Sequence, residues 1–191
     1  MTLLRRYGTL IGFAGILLFF SLSLPDTFLT GRNWLNISQQ VSMLTVVAAA
    51  MTIVMVMGDF DLSVGSMASL AGIVAAVLFT VGYPVWAAVA IALLVGLAGG
   101  AVNGVLVSLI GILPFIATLA TLTVFSRAAF LISGGRTIFG RDIPQSFAEF
   151  ARAGVSLGEI GGQAVKVPYL TVVALVAVAL VWVLLEQTTF G

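Results

Sequence analysis

The sequence contains no cysteine and no histidine, and only 8% of its 191 residues are charged. The missing cysteine excludes disulfides and thiol nucleophiles, and the missing histidine excludes imidazole metal sites and triads that use histidine as a base. We therefore predict no catalytic residue, no metal site and no cofactor. Soluble domains carry about 25% charged residues, so a water-soluble globular protein is excluded as well. No basic cluster indicates a nucleic-acid partner.

Apolar residues make up 61% of the chain and are grouped in long runs. A helix needs about 20 apolar residues to cross the hydrocarbon core of a bilayer, which is about 30 Å thick. Six runs approach this length, which predicts an all-α, polytopic transmembrane helical bundle that forms a single domain over residues 1–191. The predicted spans are Tyr7–Leu24, Val41–Met57, Ser63–Val81, Val85–Ile110, Phe115–Ile132 and Pro168–Leu185.

The basic residues give two conflicting indications of orientation. Arg5 and Arg6 precede the first span and favour a cytoplasmic N-terminus. With six spans, this orientation makes residues 134–167 an extracytoplasmic loop. That loop contains more basic residues than the N-terminus does, and these oppose the placement: Arg136, Arg141, Arg152 and Lys166. We keep the N-inside orientation as the prediction.

The long loop alternates apolar and polar residues over Ile143–Phe150. Phe147 and Phe150 are three residues apart, so in a helix they would share one face. One hypothesis is a short amphipathic helix that lies on the membrane surface with both rings facing inward. The other hypothesis is a solvated connector.

The segment Gly58–Ser66 places two carboxylates, Asp59 and Asp61, between two apolar runs. A carboxylate near the bilayer centre costs roughly 2.5–3.5 kcal/mol on insertion scales, so this segment predicts an interrupted or broken helix. Asp61 precedes a helix-compatible run and can cap it by accepting a hydrogen bond from the N–H of Ser63 or Val64. It can also line a polar path. Asp59 and Asp61 are two residues apart and would not share a helical face, which argues against a pair of catalytic carboxylates.

Glycine recurs at every fourth residue at Gly96, Gly100 and Gly104. Such a stripe of small residues allows a second membrane helix to approach closely, so it predicts helix packing. Asn103 lies beside the stripe, and we expect its amide to form a hydrogen bond across that helix interface.

The run that starts at Pro114 carries three further polar residues. Thr118 and Thr121 are three residues apart and share a face, where their hydroxyls bond to the helix backbone or line a polar path. Arg127 lies near the end of the predicted span. It can extend its guanidinium to the membrane surface, or it can pair with a carboxylate inside the bundle.

Three short segments and one arginine carry a family resemblance when they are taken together in order. They are Asp61–Ser66 (DLSVGS), Gly100–Gly104 (GAVNG), Pro114–Leu119 (PFIATL) and Arg127. This set resembles the permease subunits of bacterial ABC importers for monosaccharides, of the ribose, xylose and arabinose type. Two positions depart from the family pattern: Gly58-Asp59 stands where Gly-Gly is common, and Ala128 stands where glycine often follows the arginine.

The resemblance implies a permease of the bacterial inner membrane that forms the translocation path for a monosaccharide. The implied partners are an ATP-binding-cassette ATPase, a periplasmic sugar-binding protein, a second permease subunit in a homodimer, and membrane lipid. A sugar path needs scattered donors and acceptors, which implies roles at the path or the helix break for Asp61, Ser63, Ser66, Asn103, Thr118, Thr121 and Arg127. No phosphate-binding loop occurs in the sequence, so a partner must supply ATP hydrolysis.

Residues Thr188–Gly191 resemble the end of a helix that, in the family, precedes a cytoplasmic coupling helix. From this likeness we expect an N-terminal fragment of a longer permease, incomplete at its C-terminus. The alternative function is an ion- or proton-coupled secondary transporter in which Asp59, Asp61 and Arg127 form the relay.

Overall fold

The computed structural model describes residues 2–160 and 163–188. The last residues of the segment that resembles a helix end, 189–191, lie outside this range. Eight helices and one two-stranded hairpin form the described chain. They are α1 (Thr2–Ser23), α2 (Pro25–Phe28), α3 (Gly31–Val56), α4 (Val64–Thr80), α5 (Val85–Gly104), α6 (Pro114–Ser133), α7 (Gln145–Arg152), β1 (Gly154–Ile160), β2 (Gln163–Pro168) and α8 (Tyr169–Gln187).

The prediction of an all-α membrane bundle is confirmed. Within the described range, four helices are long and apolar enough to cross a bilayer, namely α3, α5 with the turn that follows it, α6 and α8. Tyr7–Ser23 and Val64–Thr80 are apolar but shorter. At 1.5 Å per residue, the 17 residues of α4 extend about 25 Å, which is less than the full hydrocarbon thickness.

Helix α3 begins at Gly31, ten residues before the predicted start at Val41. The reason is a cap that the apolar pattern did not reveal. The side chain of Thr30 accepts a hydrogen bond from the N–H of Asn33 at 3.3 Å, which satisfies one of the free N–H groups at the helix start. The first turns of α3 are therefore helical although their residues are mostly polar, and a search for apolar runs does not find them.

The long loop is folded. Its amphipathic helix is present as α7, where the Phe147 ring lies 5.2 Å from the Phe79 ring of α4. The helix hypothesis placed both rings inward, whereas Phe150 is 55% exposed and stacks on Tyr169. The antiparallel hairpin β1–β2 was not predicted. The hairpin begins at Gly154. A side chain does not fit at this position, because a Cβ there would lie 2.3 Å from the carbonyl oxygen of Val167.

Helices α4, α5 and α6 pack together as one group, which we call the three-helix cluster. The first turn of α6 and the start of α4 meet at Thr118 and Leu62, so these two helices run parallel. The end of α5 meets the start of α4 at Asn103 and Ser63, so α5 runs antiparallel to them. Leu70, Phe125 and Ala129 form the buried centre of the cluster.

Helices α3 and α8 form a second group, the α3–α8 pair. The hydroxyls of Ser42 and Thr171 share a hydrogen bond across the pair at 2.9 Å. The Ser42 hydroxyl also donates to the carbonyl of Ser38, so Thr171 is the donor between the helices. At one end of the molecule, α7 contacts both groups. Gln39 of α3 donates its amide N–H to the carbonyl of Ala151 at 2.7 Å, and Phe147 contacts Phe79 of the cluster.

The predicted glycine stripe packs against no helix within the described residues. A Cβ added at Gly96, Gly100 or Gly104 meets no atom within 4 Å. The close contact lies on the neighbouring side of α5, at Gly99, where a Cβ would lie 1.8 Å from Met67 Cε and 3.3 Å from Phe125 Cζ. The side of α5 that packs within the described chain is therefore that of Gly99 and Asn103, which are four residues apart. Packing of another helix on the stripe itself stays a prediction.

Candidate functional site at the α3–α4 break

The chain leaves α3 through a glycine turn. Gly58 adopts φ 84°, a left-handed conformation that favours glycine. Its N–H donates to the carbonyl of Met55 at 3.0 Å, and the N–H of Asp59 donates to that of Val54 at 3.2 Å. This pair of bonds is the Schellman motif that ends many helices. Gly58 is therefore needed for the turn, whereas Asp59 contributes a backbone bond.

Asp61 organises the start of α4. Its Oδ1 accepts hydrogen bonds from both the backbone N–H and the hydroxyl of Ser63, each at 2.7 Å. The predicted bond from the Ser63 N–H is confirmed. The N-cap position of α4 is Ser63, since the helix begins at Val64, but the Ser63 side chain forms no capping bond to the helix. Asp61 therefore lies two residues before the cap and fixes the turn that leads into the helix.

Asn103 connects α5 to this turn. Its Nδ2 donates to Ser63 Oγ at 2.7 Å, which confirms the expected bond between helices. The single hydroxyl hydrogen of Ser63 is already donated to Asp61, so Asn103 must be the donor here and its Oδ1 must point elsewhere. That oxygen is buried and has no hydrogen-bond partner within the described residues. A π-helical turn, Val105–Leu109, follows two residues later.

Thr118 connects α6 to the same segment. Its Oγ1 accepts a hydrogen bond from the N–H of Leu62 at 3.2 Å. The same hydroxyl donates to the carbonyl oxygen of Phe60 at 3.4 Å. We call Asp61, Ser63, Asn103 and Thr118 the break junction. Ser63, Thr118 and Asn103 are only 1%, 3% and 8% exposed, so these three residues are buried inside the three-helix cluster. Asp61 is partly buried, at the edge of the junction.

The other two predicted polar residues bond within their own helices. Thr121 donates to the carbonyl of Thr118 at 3.3 Å, and Ser66 donates to that of Ser63 at 2.7 Å. In both bonds a hydroxyl donates to a backbone carbonyl three residues earlier in the chain. This was one of the two alternatives given for the threonine hydroxyls. These hydroxyls are therefore used by the fold in this conformation.

Arg127 is not part of the junction. It is exposed, nine residues beyond Thr118, which corresponds to roughly 13 Å along the axis of α6. It forms no ion pair with any described residue, so of the two alternatives for Arg127 the pairing with a carboxylate inside the bundle is not formed in the described part of the chain. A relay through Asp59, Asp61 and Arg127 is consequently not assembled.

The junction offers hydrogen-bond acceptors and no catalytic pair. Two oxygens have no donor among the described residues, Asn103 Oδ1 and Asp61 Oδ2. Such oxygens suit a ligand that donates through hydroxyl groups. No group of acidic residues in the described part of the chain could hold a metal ion.

Comparison with known proteins identifies the family. Residues 33–191 match the model of a family described as branched-chain amino acid transport system / permease component. The chain belongs to this family. It is accordingly a multi-pass permease-type protein of the inner membrane.

Curated relatives agree with this assignment. The chain is 33% identical over 188 residues to the ribose import permease protein RbsC of Bacillus subtilis, covering 98% of this chain and 55% of that protein. It is 31% identical over 187 residues to the D-allose transport system permease protein AlsC of Escherichia coli, covering 97% and 54%.

A third relative has ABC transport in its name. The chain is 36% identical over 136 residues to the L-arabinose ABC transporter permease protein AraH of Azospirillum brasilense, covering 71% of this chain and 40% of that protein. No solved structure shows significant similarity. The chain spans about half the length of the curated relatives it matches.

Proposed function

We propose that this chain belongs to the permease subunit of an ATP-driven importer and contributes to the path of a monosaccharide. The observation that carries the proposal is the break junction, where three helices of a permease-family chain enclose an acceptor without a partner. Burying such a group costs roughly 1–3 kcal/mol. That cost is recovered when a donor reaches Asn103 Oδ1. The relatives' names, which include ribose, allose and arabinose, support a sugar as the donor.

The proposal divides the predicted path residues into two roles. Ser63, Ser66, Thr118 and Thr121 use their hydroxyls to hold the helices together. Asn103 and Asp61 retain free acceptor oxygens, which would meet sugar hydroxyls once α5 moves away from α4. Alternating access requires such a site to be sealed in one state and open in another. The burial of Ser63, Asn103 and Thr118 fits the closed state.

The proposed partners are an ATPase, a periplasmic binding protein and a second permease copy. A separate ATPase would drive the cycle, because no phosphate-binding loop occurs here, and a periplasmic binding protein would deliver the sugar. Residues 134–167 would face the periplasm, with the break junction near the cytoplasmic side. Gly96, Gly100 and Gly104 are open in this chain, and a second permease copy would pack against them.

Radiolabelled sugar uptake tests the transport proposal. The gene product would be expressed with its ATPase and binding protein in cells that lack other monosaccharide importers. Uptake should stop when ATP is depleted and should continue when an uncoupler removes the proton gradient. Asn103→Leu should abolish uptake while leaving the protein folded. Asn36→Leu, at an exposed position of α3, is the matched control. Uptake that follows the proton gradient and ignores ATP would refute the proposal.

Cross-linking tests the homodimer. Because the chain has no cysteine, a single Gly100→Cys substitution gives a unique thiol. We expect a disulfide-linked dimer under mild oxidation in membranes. Ala98→Cys is the control, since two residues correspond to about 200° around the helix and Ala98 is also exposed. Equal cross-linking at both positions would mean that the stripe is not the contact.

A further inference from the structure

A second polar site lies at the opposite end of the three-helix cluster. Because α4 and α6 run parallel, their last turns end side by side, far from the break junction. Between them is a cavity of about 260 Å³. Five of its lining residues carry hydroxyl or charged groups: Thr80, Ser133, Arg136, Thr137 and Asp142. We call it the loop-side pocket.

The chain builds this pocket by turning back over the end of α6. Gly134 and Gly135 adopt φ 62° and 69°, both left-handed. A Cβ at Gly135 would also lie 3.0 Å from the Phe130 ring. The turn directs residues 136–142 across to α4, where the helical turn Gly140–Asp142 makes contact. Two glycines thus set the course of the chain along the wall of the pocket. Ser133 is buried at its base, and the other four polar lining residues are exposed at its mouth.

The pocket holds two opposite charges that are not paired with each other. Arg136 and Asp142 both line it, yet neither forms an ion pair with any described residue. Arg136 offers only donors, and Asp142 offers only acceptors when it is ionised. Thr80 donates its hydroxyl hydrogen to the carbonyl of Val77 at 2.7 Å, so its oxygen remains available as an acceptor.

These groups select for a neutral ligand with several hydroxyls. A hydroxyl both donates and accepts, so one small polyol can donate to Asp142 and accept from Arg136 at the same time. A net charge on the ligand would leave one of the two protein charges facing a like charge. Anions are disfavoured further because the carbonyl ends of α4 and α6 both point toward this region. Pockets for drug-sized ligands start at about 300 Å³, so this slightly smaller cavity suits a single sugar ring.

We propose that the loop-side pocket is the first binding site for the sugar, occupied before the sugar reaches the break junction. The site rests on the proposed function, because the sugar and the periplasmic position of residues 134–167 come from it. A zwitterionic amino acid could also satisfy one cation and one anion. It is therefore the competing ligand in the test.

Protection from labelling tests the site without the ATPase. Thr137→Cys gives the full chain one thiol inside the pocket, and its rate of reaction with a methanethiosulfonate reagent would be measured in lipid nanodiscs. The probes are D-ribose, L-arabinose, D-galactose and L-leucine. We expect at least one sugar to slow labelling and L-leucine to have no effect. Protection by L-leucine alone, or by none of the four probes, would overturn the proposal.

Charge variants in the Thr137→Cys background sharpen the result. Asp142→Asn and Arg136→Gln should each raise the sugar concentration needed for half-protection roughly tenfold, the loss expected for one charge-assisted hydrogen bond. Arg141→Gln, a neighbouring exposed arginine that does not line the pocket, should leave it unchanged. Far-UV circular dichroism would confirm that each variant is folded. Equal protection in all four proteins would refute the site.

Uptake by the complete transporter separates this inference from the proposed function. If uptake is ATP-driven and Asp142→Asn raises its KM while Arg141→Gln does not, both stand. If uptake is ATP-driven but its KM is the same in both variants, the pocket is refuted and the transport function stands. If ATP-driven uptake is absent, the proposed function fails, and the assignment of the pocket to sugar entry fails with it.

Discussion

The three-helix cluster and the α3–α8 pair are built in different ways from similarly apolar helices. In the cluster, α6 buries six residues along one face, three of which are polar. In the pair, α8 buries only Ala174, and large side chains such as Leu180 and Trp182 stay exposed. The cluster is fixed by close packing and by a hydrogen-bonded junction. The pair is joined by small residues and one bond between hydroxyls.

This difference shows what holds membrane helices in place. Apolar side chains gain little by leaving lipid for another helix, so association depends on close packing and on hydrogen bonds between helices. The cluster has both, at Gly99 and at the break junction. The outer faces of the pair have neither within the described chain and are free to contact lipid or further helices. We therefore expect substitutions in the cluster to have the larger effects.

The largest effect should come from Gly99→Val. Its Cβ would lie 1.8 Å from Met67 Cε and 3.3 Å from Phe125 Cζ. The Met67 side chain would have to leave its place, and the two valine methyl groups would press on the Phe125 ring, so the centre of the cluster would have to repack. Overpacking of this kind costs typically 1–3 kcal/mol, and we expect about 3 kcal/mol here. The measurement is the free energy of unfolding of the purified chain in mixed micelles, titrated with SDS and followed by circular dichroism.

Gly72→Val in α4 is the matched control for this substitution. A Cβ at Gly72 meets nothing within 4 Å, and surface substitutions usually change stability by no more than about 0.5 kcal/mol. If both variants lost the same stability, the effect would come from replacing glycine within the helix. The cluster would then not depend on the close contact at Gly99.

The next effect concerns the junction. Asp61→Ala removes the acceptor for the N–H and the hydroxyl of Ser63. A buried donor left without a partner costs roughly 1–3 kcal/mol, and we expect a loss of about 2 kcal/mol. The same unfolding titration would measure it. Asp59→Ala is the control, because only the backbone of Asp59 forms a hydrogen bond in the described chain. A larger loss for Asp59→Ala than for Asp61→Ala would contradict the assigned role of Asp61.

The sequence predicted the cluster better than the pair for a physical reason. Glycine, proline and capping residues mark where helices start and stop, so the bond from Ser63 to Asp61 and the start of α6 at Pro114 could be predicted. Which glycine contacts a neighbour depends on how the helix is rotated, and a stripe that repeats every four residues does not set that rotation. Gly99 was therefore missed, although its spacing from Asn103 was a usable signal.

The hairpin and the loop-side pocket were missed for a different reason. Both depend on residues that come together only after α4 and α6 are placed parallel. Arg136 and Asp142 have no significance as a pair until the turn at Gly134 and Gly135 carries them back toward α4. The charged residues and the glycines are visible in the sequence, whereas their position side by side depends on the tertiary structure.

The smallest effect should come from the α3–α8 pair. Ser42→Ala and Thr171→Val each remove one partner of the single hydroxyl bond between the helices. Such bonds contribute about 0.6 kcal/mol on average in a membrane protein, and a double-mutant cycle on the unfolding free energy should return a coupling of about that size. Thr52→Val is the control, since Thr52 is exposed and bonds only to the carbonyl of Ala48 in its own helix. A coupling above about 2 kcal/mol would be as large as the loss expected at Asp61. The α3–α8 pair would then be held as firmly as the three-helix cluster, and the proposed difference in stability between the two groups would be wrong.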